Sequence, residues 1–365
     1  MPLKTNLSSD MINVSVAAAI TMSFARATLA ESTACSAAFK SWGSSVGSTI
    51  PVTGDCVSLA AGQDFLVILR LDGSVQHFGG IGPAPAGNYI AVAGGFGHAA
   101  AITASRRTVA WGFNHRGQTN VPAGLPDAMK VTTTYNNTAI IDVAGQIHVW
   151  GWADQGLNSP PSGTYMEIDG GEYHFAALRS DGTVQCWGFN DAGQTAVPQD
   201  LGSCLSVAAG GGIVGYVATG HSVAVTGDGR IRCWGNNGWG QCAVPATAQS
   251  ALAVAAGGLH SLALLANGSV IAWGTNNAGQ VAVPTGLANI GQIAAGEQSS
   301  FAVETCCVGD ILRDSLINGA DLGAMLSYWG PVTTAPISRA CDLNSDSVVN
   351  GADIGLLLSN WGSCL

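Results

Sequence analysis

Oxygen-bearing side chains recur at a fixed spacing near the end of the chain. The segment CDLNSDSVVNGADIGLLLSNWG, residues 341–362, provides Asp342, Asn344, Asp346, the carbonyl of Val348, Asn350 and Asp353. These residues stand at positions 1, 3, 5, 7, 9 and 12 of a loop, a spacing at which oxygen ligands wrap around one hard cation such as Ca²⁺. The pattern predicts a calcium site. The alternative is an acidic turn that binds no metal.

An earlier segment, GDILRDSLINGADLGAMLSYWG at residues 309–330, repeats this pattern with one ligand fewer. Its oxygens would come from Asp310, Asp314, the carbonyl of Leu316, Asn318 and Asp321. Leu312 stands at the third position, so we expect weaker calcium binding here. Each loop leads into a stretch with apolar residues at helical spacing, 320–329 and 352–361.

This duplicated segment, from about Val308 to Cys364, resembles a type I dockerin. The resemblance implies a small α-helical, EF-hand-like domain at residues 307–365 that uses Ca²⁺ and docks to a cohesin-like partner. Dockerins commonly attach proteins to polysaccharide-degrading assemblies. The residues before position 12, which help a dockerin choose its cohesin, are the small pair Gly-Ala in both copies. A purely structural, calcium-stiffened tail is therefore the alternative.

A different phrase recurs through the preceding part of the chain. The Trp-Gly dipeptide occurs at Trp42, Trp111, Trp150, Trp187, Trp234 and Trp273, with Phe78-Gly79 as a weaker copy. Before most copies, alternating apolar residues lead into an Asp-Gly or Asn-Gly turn such as Asn267-Gly268, which predicts β-hairpins. The 50 glycines and the charged fraction of only 10% agree with many short strands joined by tight turns.

Counting these hairpins predicts a closed ring. Six are complete, and a seventh begins at residues 293–305 but lacks its Trp strand. The missing strand stands at the other end, in AAFKSWG at residues 37–43. We therefore predict a mainly β fold over residues 35–305: a seven-bladed β-propeller with terminal-strand closure.

A cysteine flanks each side of the gap in the seventh hairpin. Aligning this hairpin with a complete one places Cys35 and Cys306 beside the missing turn, so we predict a Cys35–Cys306 disulfide, or Cys35–Cys307 after a small register slip. The alternatives are Cys35–Cys56, and Cys307 with Cys341 or Cys364.

The recurring pieces G-x-x-H-x-x-A-L, D-G-x-V and W-G-x-N-x-x-G-Q resemble the regulator of chromosome condensation repeat family. The resemblance covers about Cys35 to Thr305 and implies a seven-bladed propeller. The founding member binds chromatin and drives nucleotide exchange on a small GTPase. A net charge of −10 argues against a nucleic-acid partner, and an exchange role is the least favoured alternative. Secreted bacterial relatives that inhibit β-lactamases are a nearer analogy, because they are simple binders.

The residues that vary after Trp-Gly should lie together on one face. Those we predict to form a ligand-binding face are Phe113, His115, Arg116, Trp152, Asp154, Phe189, Asp191 and Trp239. Aromatic side chains beside polar ones serve binding to proteins or glycans. The alternative for Phe113 and Phe189 is that they tuck into the next blade.

Other repeated or unusual residues suggest little chemistry. His98, His174, His221 and His260 share one slot, where we expect them to bond backbone rather than a metal. The glycine-rich insertion Gly210–Gly220 fits a protruding surface loop. The candidate catalytic carboxylates are Asp64, Asp154, Glu172, Asp191 and Glu297. No recognisable motif fixes two of them relative to each other as a glycosidase would need, so we expect a binding module rather than an enzyme.

The start of the chain predicts export. Lys4 precedes an apolar stretch from Val14 to Phe24 and then small residues, so residues 1–30 resemble a signal peptide, and no later segment is long and apolar enough for a membrane span. Ten cysteines fit an oxidising compartment. The sequence predicts a secreted or cell-surface protein that binds a protein or glycan. The alternative is a component of polysaccharide degradation.

Overall fold

The computed structural model describes residues 39–44, 56–70, 72–214, 217–287, 290–304, 316–317, 319–331, 341, 348–359 and 362–363. The chain divides into two compact units, one built mainly from Cys35–Cys307 and the other mainly from Val308–Gly362. The predicted signal peptide, at residues 1–30, and the cysteines Cys35, Cys306 and Cys307 lie outside the described residues.

The described part of the first unit contains seven three-stranded antiparallel sheets. Their first strands are β2 (Cys56–Ala61), β5 (Tyr89–Gly94), β8 (Ala128–Thr133), β11 (Tyr165–Gly170), β14 (Cys204–Gly210), β19 (Ala251–Ala256) and β22 (Ile290–Ala295). The middle strands are β3 (Phe65–Arg70), β6 (His98–Thr103), β9 (Asn137–Asp142), β12 (His174–Arg179), β17 (His221–Thr226), β20 (His260–Leu265) and β23 (Ser299–Glu304). The third strands are β4 (Val75–Gly79), β7 (Thr108–Gly112), β10 (Ile147–Gly151), β13 (Val184–Gly188), β18 (Ile231–Gly235), β21 (Val270–Gly274) and β1 (Phe39–Gly43).

The predicted hairpin turns join the middle strand to the third strand. In the turn between β20 and β21, Gly268 has a φ of +76°, a conformation that glycine adopts without strain. The Asn267 side chain accepts a hydrogen bond from the amide of Ser269 at 3.1 Å. Local turn chemistry therefore fixes the register of this hairpin, as the Asn-Gly pair predicted.

The seven sheets follow one another in a closed ring. The first strand of each sheet contacts the first strand of the next, from β2 to β5 and onward, and β22 contacts β2 again. The last sheet takes its third strand from the beginning of the chain, because β1 pairs with β23 and places Trp42 opposite Ser300. The Trp42 indole donates to the carbonyl of Gln280 at 2.9 Å. The predicted terminal-strand pairing is thus present.

Tryptophans and buried strands form the core between neighbouring sheets. Trp273 is 5% exposed and packs with Val225, Ile231 and Leu265 across one such boundary. The middle strands are buried along most of their length because sheets cover both of their faces. Each boundary therefore has a small apolar core of its own, as expected for a repeat in which every unit packs on its neighbours.

The four repeated histidines form hydrogen bonds between sheets, to side-chain hydroxyls as well as to the backbone that the sequence led us to expect. The imidazole Nε2 of each lies 2.9–3.0 Å from a hydroxyl on the next sheet: His98 on Thr138, His174 on Ser222, His221 on Ser261 and His260 on Ser300. All four imidazoles are fully buried. Burial lowers the pKa of each, to about 4 for His98, His174 and His260 and to about 3 for His221.

One disulfide, which the sequence did not predict, is present among the described residues. Cys233 in β18 is bonded to Cys242 in the loop that follows, with 5.1 Å between their Cα atoms. In the same described part, Cys56, Cys186, Cys204 and Cys341 are free.

The glycine-rich insertion forms a small hairpin of two strands, β15 (Ile213–Val214) and β16 (Val217–Ala218). In the second unit, the elements are β24 (Leu316–Ile317), helix α1 (Gly319–Ser327), β25 (Gly330–Pro331), β26 (Val348–Val349), helix α2 (Gly351–Ser359) and β27 (Gly362–Ser363). The two helices are short and contact each other, and β25 pairs with β26. The described helices include none that is long and apolar enough to cross a membrane.

Candidate functional site

The seven sheets surround a cavity of about 240 Å³ at the ends of their first strands. Every sheet contributes the turn that joins its first strand to its middle strand, so the lining is repeated around the ring. Much of this lining is backbone, since glycines occupy many of the turn positions. The side chains that project here are few: Gln63, Phe96, Tyr135, Glu172 and Glu297 are the largest.

Five aromatic residues lie together beside this cavity; we call them the aromatic cluster. Its members are Phe96, Tyr135, Trp152, Tyr173 and Phe189. The ring centroid of Tyr135 lies 3.7 Å from Phe96 and 5.4 Å from Tyr173. Tyr173 in turn lies 5.3 Å from Trp152 and 6.4 Å from Phe189. The cluster therefore crosses three neighbouring sheets from the cavity outward.

Backbone hydrogen bonds bring the loop after Trp-Gly to the cavity side of each sheet. The amide of Trp152 donates to the carbonyl of Asn136 at 3.1 Å, and the amide of Phe189 donates to that of Tyr173 at 2.8 Å. The glycine before each of these residues approaches the neighbouring turn so closely that a Cβ atom would clash, as at Gly151 against the Asn136 carbonyl. The Trp-Gly dipeptide thus places the next side chain on this face.

The Asn and Gln of the recurring phrase hold these loops in one shape. In the second sheet's loop, the Asn114 side chain accepts from the amide of Thr119 at 3.1 Å, and the buried Gln118 side chain accepts from the amide of Arg116 at 2.8 Å. The same pair of bonds recurs in the loops containing Asn190, Asn237 and Asn276. The variable side chains therefore stand on a rigid frame.

The side chain of Arg116 lies beside the aromatic cluster. The guanidinium of Arg116 lies 5.7 Å from the centroid of the Trp152 ring, which is within range of a cation–π interaction. Arg116 is exposed, whereas Trp152 and Phe189 are partly buried. The group presents flat apolar surface next to a fixed positive charge, a combination that protein-binding surfaces use.

The structure unites some of the predicted face residues and separates others. It brings Arg116, Trp152 and Phe189 together, and it places Phe113, 57% exposed, with its ring centroid 6.5 Å from that of His115. Asp154 and Asp191 are exposed in the loops of the third and fourth sheets. Trp239 is partly buried in the loop of the fifth sheet and contacts none of the cluster's rings among the described aromatic pairs.

Sequence reasoning missed three members of the aromatic cluster. Phe96 and Tyr135 stand two residues before the slot that the repeated histidines occupy, and Tyr173 stands one residue before it. Aligning the repeats on that slot would have shown that aromatic residues occupy the turn in three successive sheets. The missed signal was therefore the turn before the middle strand, rather than the loop after Trp-Gly.

Two carboxylates line the cavity, and the glycine-rich insertion lies beside them. Glu172 is 4% exposed, and burial raises its pKa to about 7. Burial also raises the pKa of Glu297. The insertion turns inward: its Thr219 is fully buried and bonds the carbonyl of Gly212 at 2.7 Å, and both Gly211 and Gly212 line the cavity. The expectation of a protruding surface loop is therefore wrong for these residues.

The predicted calcium ligands are described only in part. Asp342, Asn344, Asp346, Asp310, Asp314 and Asn318 lie outside the described residues. Of the remainder, Asp321 and Asp353 are fully buried in the first turns of α1 and α2. A carboxylate oxygen of Asp353 accepts from the amide of Asn350 at 2.8 Å, and the Asn350 side chain donates to the carbonyl of Val348 at 3.1 Å.

The comparisons with known proteins bear first on the class of fold. Prp20p from Saccharomyces cerevisiae is similar with a TM-score of 0.59 and 16% identity, over 80% of this chain and 94% of that one. The ectodomain of the receptor kinase CR4 from Physcomitrella patens is similar with a TM-score of 0.55 and 23% identity, over 67% of this chain and 69% of that one. These likenesses show a β-propeller.

The repeats themselves are then identified by sequence. The regulator of chromosome condensation (RCC1) repeat matches residues 167–194, 219–241 and 252–280, so the chain contains RCC1 repeats. The ultraviolet-B receptor UVR8 of Arabidopsis thaliana is 27% identical over 148 residues, which cover 32% of this chain and 33% of that protein. The chain thus spans about a third of the length of this curated relative.

Proposed function

We propose that the propeller is a binding module that recognises a protein partner through the aromatic cluster and Arg116. The observation that carries this proposal is the contact chain from Phe96 through Tyr135 and Tyr173 to Trp152 and Phe189 on one face of the ring. Large aromatic residues and arginine contribute most of the binding energy in protein interfaces. The rings of the cluster also contact one another, which favours a small loss of side-chain entropy on binding.

The similar structures support a protein partner over a glycan. One of them, Prp20p (yeast RCC1), binds Gsp1p and histones and forms a complex with Kap60. A glycan remains the alternative ligand, because aromatic rings also stack on sugars.

The experiment compares capture by matched variants. Full-length protein is immobilised and exposed to the secretome of the source cells, and captured proteins are quantified by mass spectrometry. A protein retained by the wild type and by Ile90→Ala, an exposed apolar truncation outside the cavity lining, but lost with Trp152→Ala, would support the proposal. Equal capture by both variants would contradict it, and so would a glycan array in which Trp152→Ala abolishes binding. Melting temperatures confirm that each variant is folded.

For the tail, we propose calcium binding at the second loop and weaker binding at the first. An aspartate stands at position 12 of each loop, Asp321 in the first and Asp353 in the second, and both are fully buried, as a calcium ligand at this position would be. Val348 and Asn350 supply oxygens nearby. Calorimetry should show a larger loss of calcium affinity from Asp342→Ala than from Asp310→Ala. Equal losses would contradict this order.

Two further proposals concern the ends of the chain: docking through the tail and export through residues 1–30. We propose that the calcium-loaded tail binds a cohesin-like protein, which a cohesin pull-down with and without chelator tests. We also propose that residues 1–30 direct secretion; N-terminal sequencing of the extracellular protein should then begin after about residue 30. A component of polysaccharide degradation is the alternative, and a reducing-sugar assay of the full chain would reveal it.

A further inference from the structure

Two carboxylates from opposite parts of the ring line the central cavity. Glu172 stands in the turn between β11 and β12, and Glu297 stands in the turn between β22 and β23. Two consecutive residues of the insertion lie against them: a Cβ atom added to Gly211 would be 3.3 Å from Glu172 Cβ, and one added to Gly212 would be 3.4 Å from Glu297 Oε1. Both glutamates therefore lie against adjacent residues of the insertion.

Glu172 has unused hydrogen-bonding capacity in this place. Its Oε2 accepts a long bond of 3.4 Å from the amide of Thr219. Its Oε1 is buried and has no hydrogen-bond partner among the described residues. A buried acceptor without a partner costs free energy, so a ligand that donates to Oε1 would recover that cost.

The surroundings of this carboxylate pair favour a cation. Among the described lining residues there is no Lys, Arg or His. The phenols of Tyr135 and Tyr173 face Glu172, and Asp64 and Gln63 face Glu297. Arg116 acts on Tyr173 and Trp152, on the outer side of the cluster. The cavity thus combines acceptors and negative charge with the stacked rings of Phe96 and Tyr135.

The size and walls of the cavity favour an organic cation over a metal ion. A volume of about 240 Å³ holds an alkylammonium or guanidinium group with part of its chain, whereas a bare divalent ion would fill little of it. Calcium takes six to eight oxygen ligands, and aromatic rings supply none. The same rings attract an ammonium or guanidinium group by the cation–π interaction.

We propose that the central cavity is the subsite for a basic side chain of the protein partner, a lysine ammonium or an arginine guanidinium held by Glu172 and Glu297 beside Phe96 and Tyr135. This inference rests on the proposed function, since it names the group that the partner inserts into the ring. The surrounding aromatic cluster then contacts the partner around that anchor.

The test uses small probes of the basic group on the full-length protein. Titration with n-butylammonium and with n-butylguanidinium at pH 8 should show saturable binding, and the neutral isostere n-butanol should bind at least tenfold more weakly. Glu172→Gln and Glu297→Gln should each lower the affinity for n-butylammonium by roughly tenfold or more. Asp228→Asn, an exposed carboxylate in the turn between β17 and β18, is the matched control and should bind like the wild type.

Protonation provides a second readout. Because the pKa of Glu172 is raised to about 7, a bound cation favours its ionised form, so binding should tighten between pH 6 and pH 8 and release protons near pH 7. Calorimetry in two buffers of different ionisation enthalpy measures that release. Glu172→Gln should reduce it.

The outcomes separate this subsite from the proposed function. Equal binding of n-butanol, no binding of either cationic probe, or binding that survives both Gln variants would overturn the subsite. Calcium binding that depends on Glu172 would also overturn it, in favour of a metal site. Trp152→Ala tests the binding face alone. If this variant binds n-butylammonium like the wild type and also captures partners like the wild type, the subsite stands and the proposed binding face is wrong.

Discussion

The imidazole of His260 lies 2.9 Å from the hydroxyl of Ser300, across the boundary between two sheets. The same hydroxyl donates its hydrogen to the carbonyl of Gln280 at 2.8 Å. Since that hydroxyl has one hydrogen, His260 must donate through Nε2. Equivalent bonds join His174 to Ser222 and then to the carbonyl of Gln194. A repeated polar link thus connects neighbouring sheets at four boundaries of the described ring.

Ser300→Ala should destabilise the protein by about 1–3 kcal/mol, because it leaves the buried Nε2–H of His260 without an acceptor. The carbonyl of Gln280 keeps the Trp42 indole as a donor, so the loss falls mainly on the histidine. Urea unfolding measures the change. Ser105→Ala removes an exposed hydroxyl and should alter the free energy of unfolding by less than about 0.5 kcal/mol. Similar effects of the two variants would mean that the link contributes nothing.

Acid should weaken the fold through the buried histidines. His174 has a pKa of about 4 in the folded protein because of burial, against 6.5 when unfolded. The unfolded chain therefore binds more protons between these values, so stability falls as the pH drops from about 6.5 to 4. His174→Asn, which copies the Asn137 found in this slot of another sheet, should make the free energy of unfolding less dependent on pH in that window. An unchanged slope would refute the assignment.

Glu167 should give the free energy of unfolding the opposite dependence on pH. Burial raises its pKa to about 7 in the folded protein, so the folded state binds the extra proton and stability falls as the pH rises from about 4.5 to 7. Its two oxygens accept from the hydroxyl of Ser206 and the amide of Val207, at 3.3 and 3.2 Å. Glu167→Gln can keep both contacts and should raise the melting temperature at pH 8 but not at pH 4. A loss of stability at pH 8 would contradict this.

Two tryptophans from different parts of the repeat should respond differently to truncation. Trp273 is 5% exposed and its indole donates to the carbonyl of Gln241 at 2.8 Å, so Trp273→Ala should cost about 3–5 kcal/mol. Trp239 is partly buried in a loop, and Trp239→Ala should cost roughly 1 kcal/mol. Chemical denaturation compares the two. If Trp239→Ala destabilises as much as Trp273→Ala, then Trp239 belongs to the core.

The ring was predictable from sequence because its determinants are local and repeated. The Asn267-Gly268 turn sets the register of one hairpin without help from distant residues, and its copies set the others. Counting the copies was enough to pair β1 with β23. The bond between Cys233 and Cys242 was missed although the two residues stand nine apart, because sequence gives separations along the chain and not the path of the loop between them.

The candidate site was predictable only in part. Trp152, Phe189 and Arg116 were found because they vary within an otherwise constant phrase. Tyr135 and Tyr173 were missed because they occupy different positions of their turns, and only the curvature of the ring brings their rings to 5.4 Å. The role of Glu172 depends on an insertion from the next sheet, a contact between residues 47 apart that no repeat pattern contains.

The pairing of β1 with β23 also has a consequence for how this protein is made. Trp42 and its acceptor Gln280 are 238 residues apart, so a ribosome delivers β1 long before the strand that will cover it. Six sheets can form in order as they emerge, whereas β1 waits as an unpaired edge that other nascent chains could join. Closure must therefore be the last step in forming the ring, and until then the chain carries an edge that a chaperone could protect.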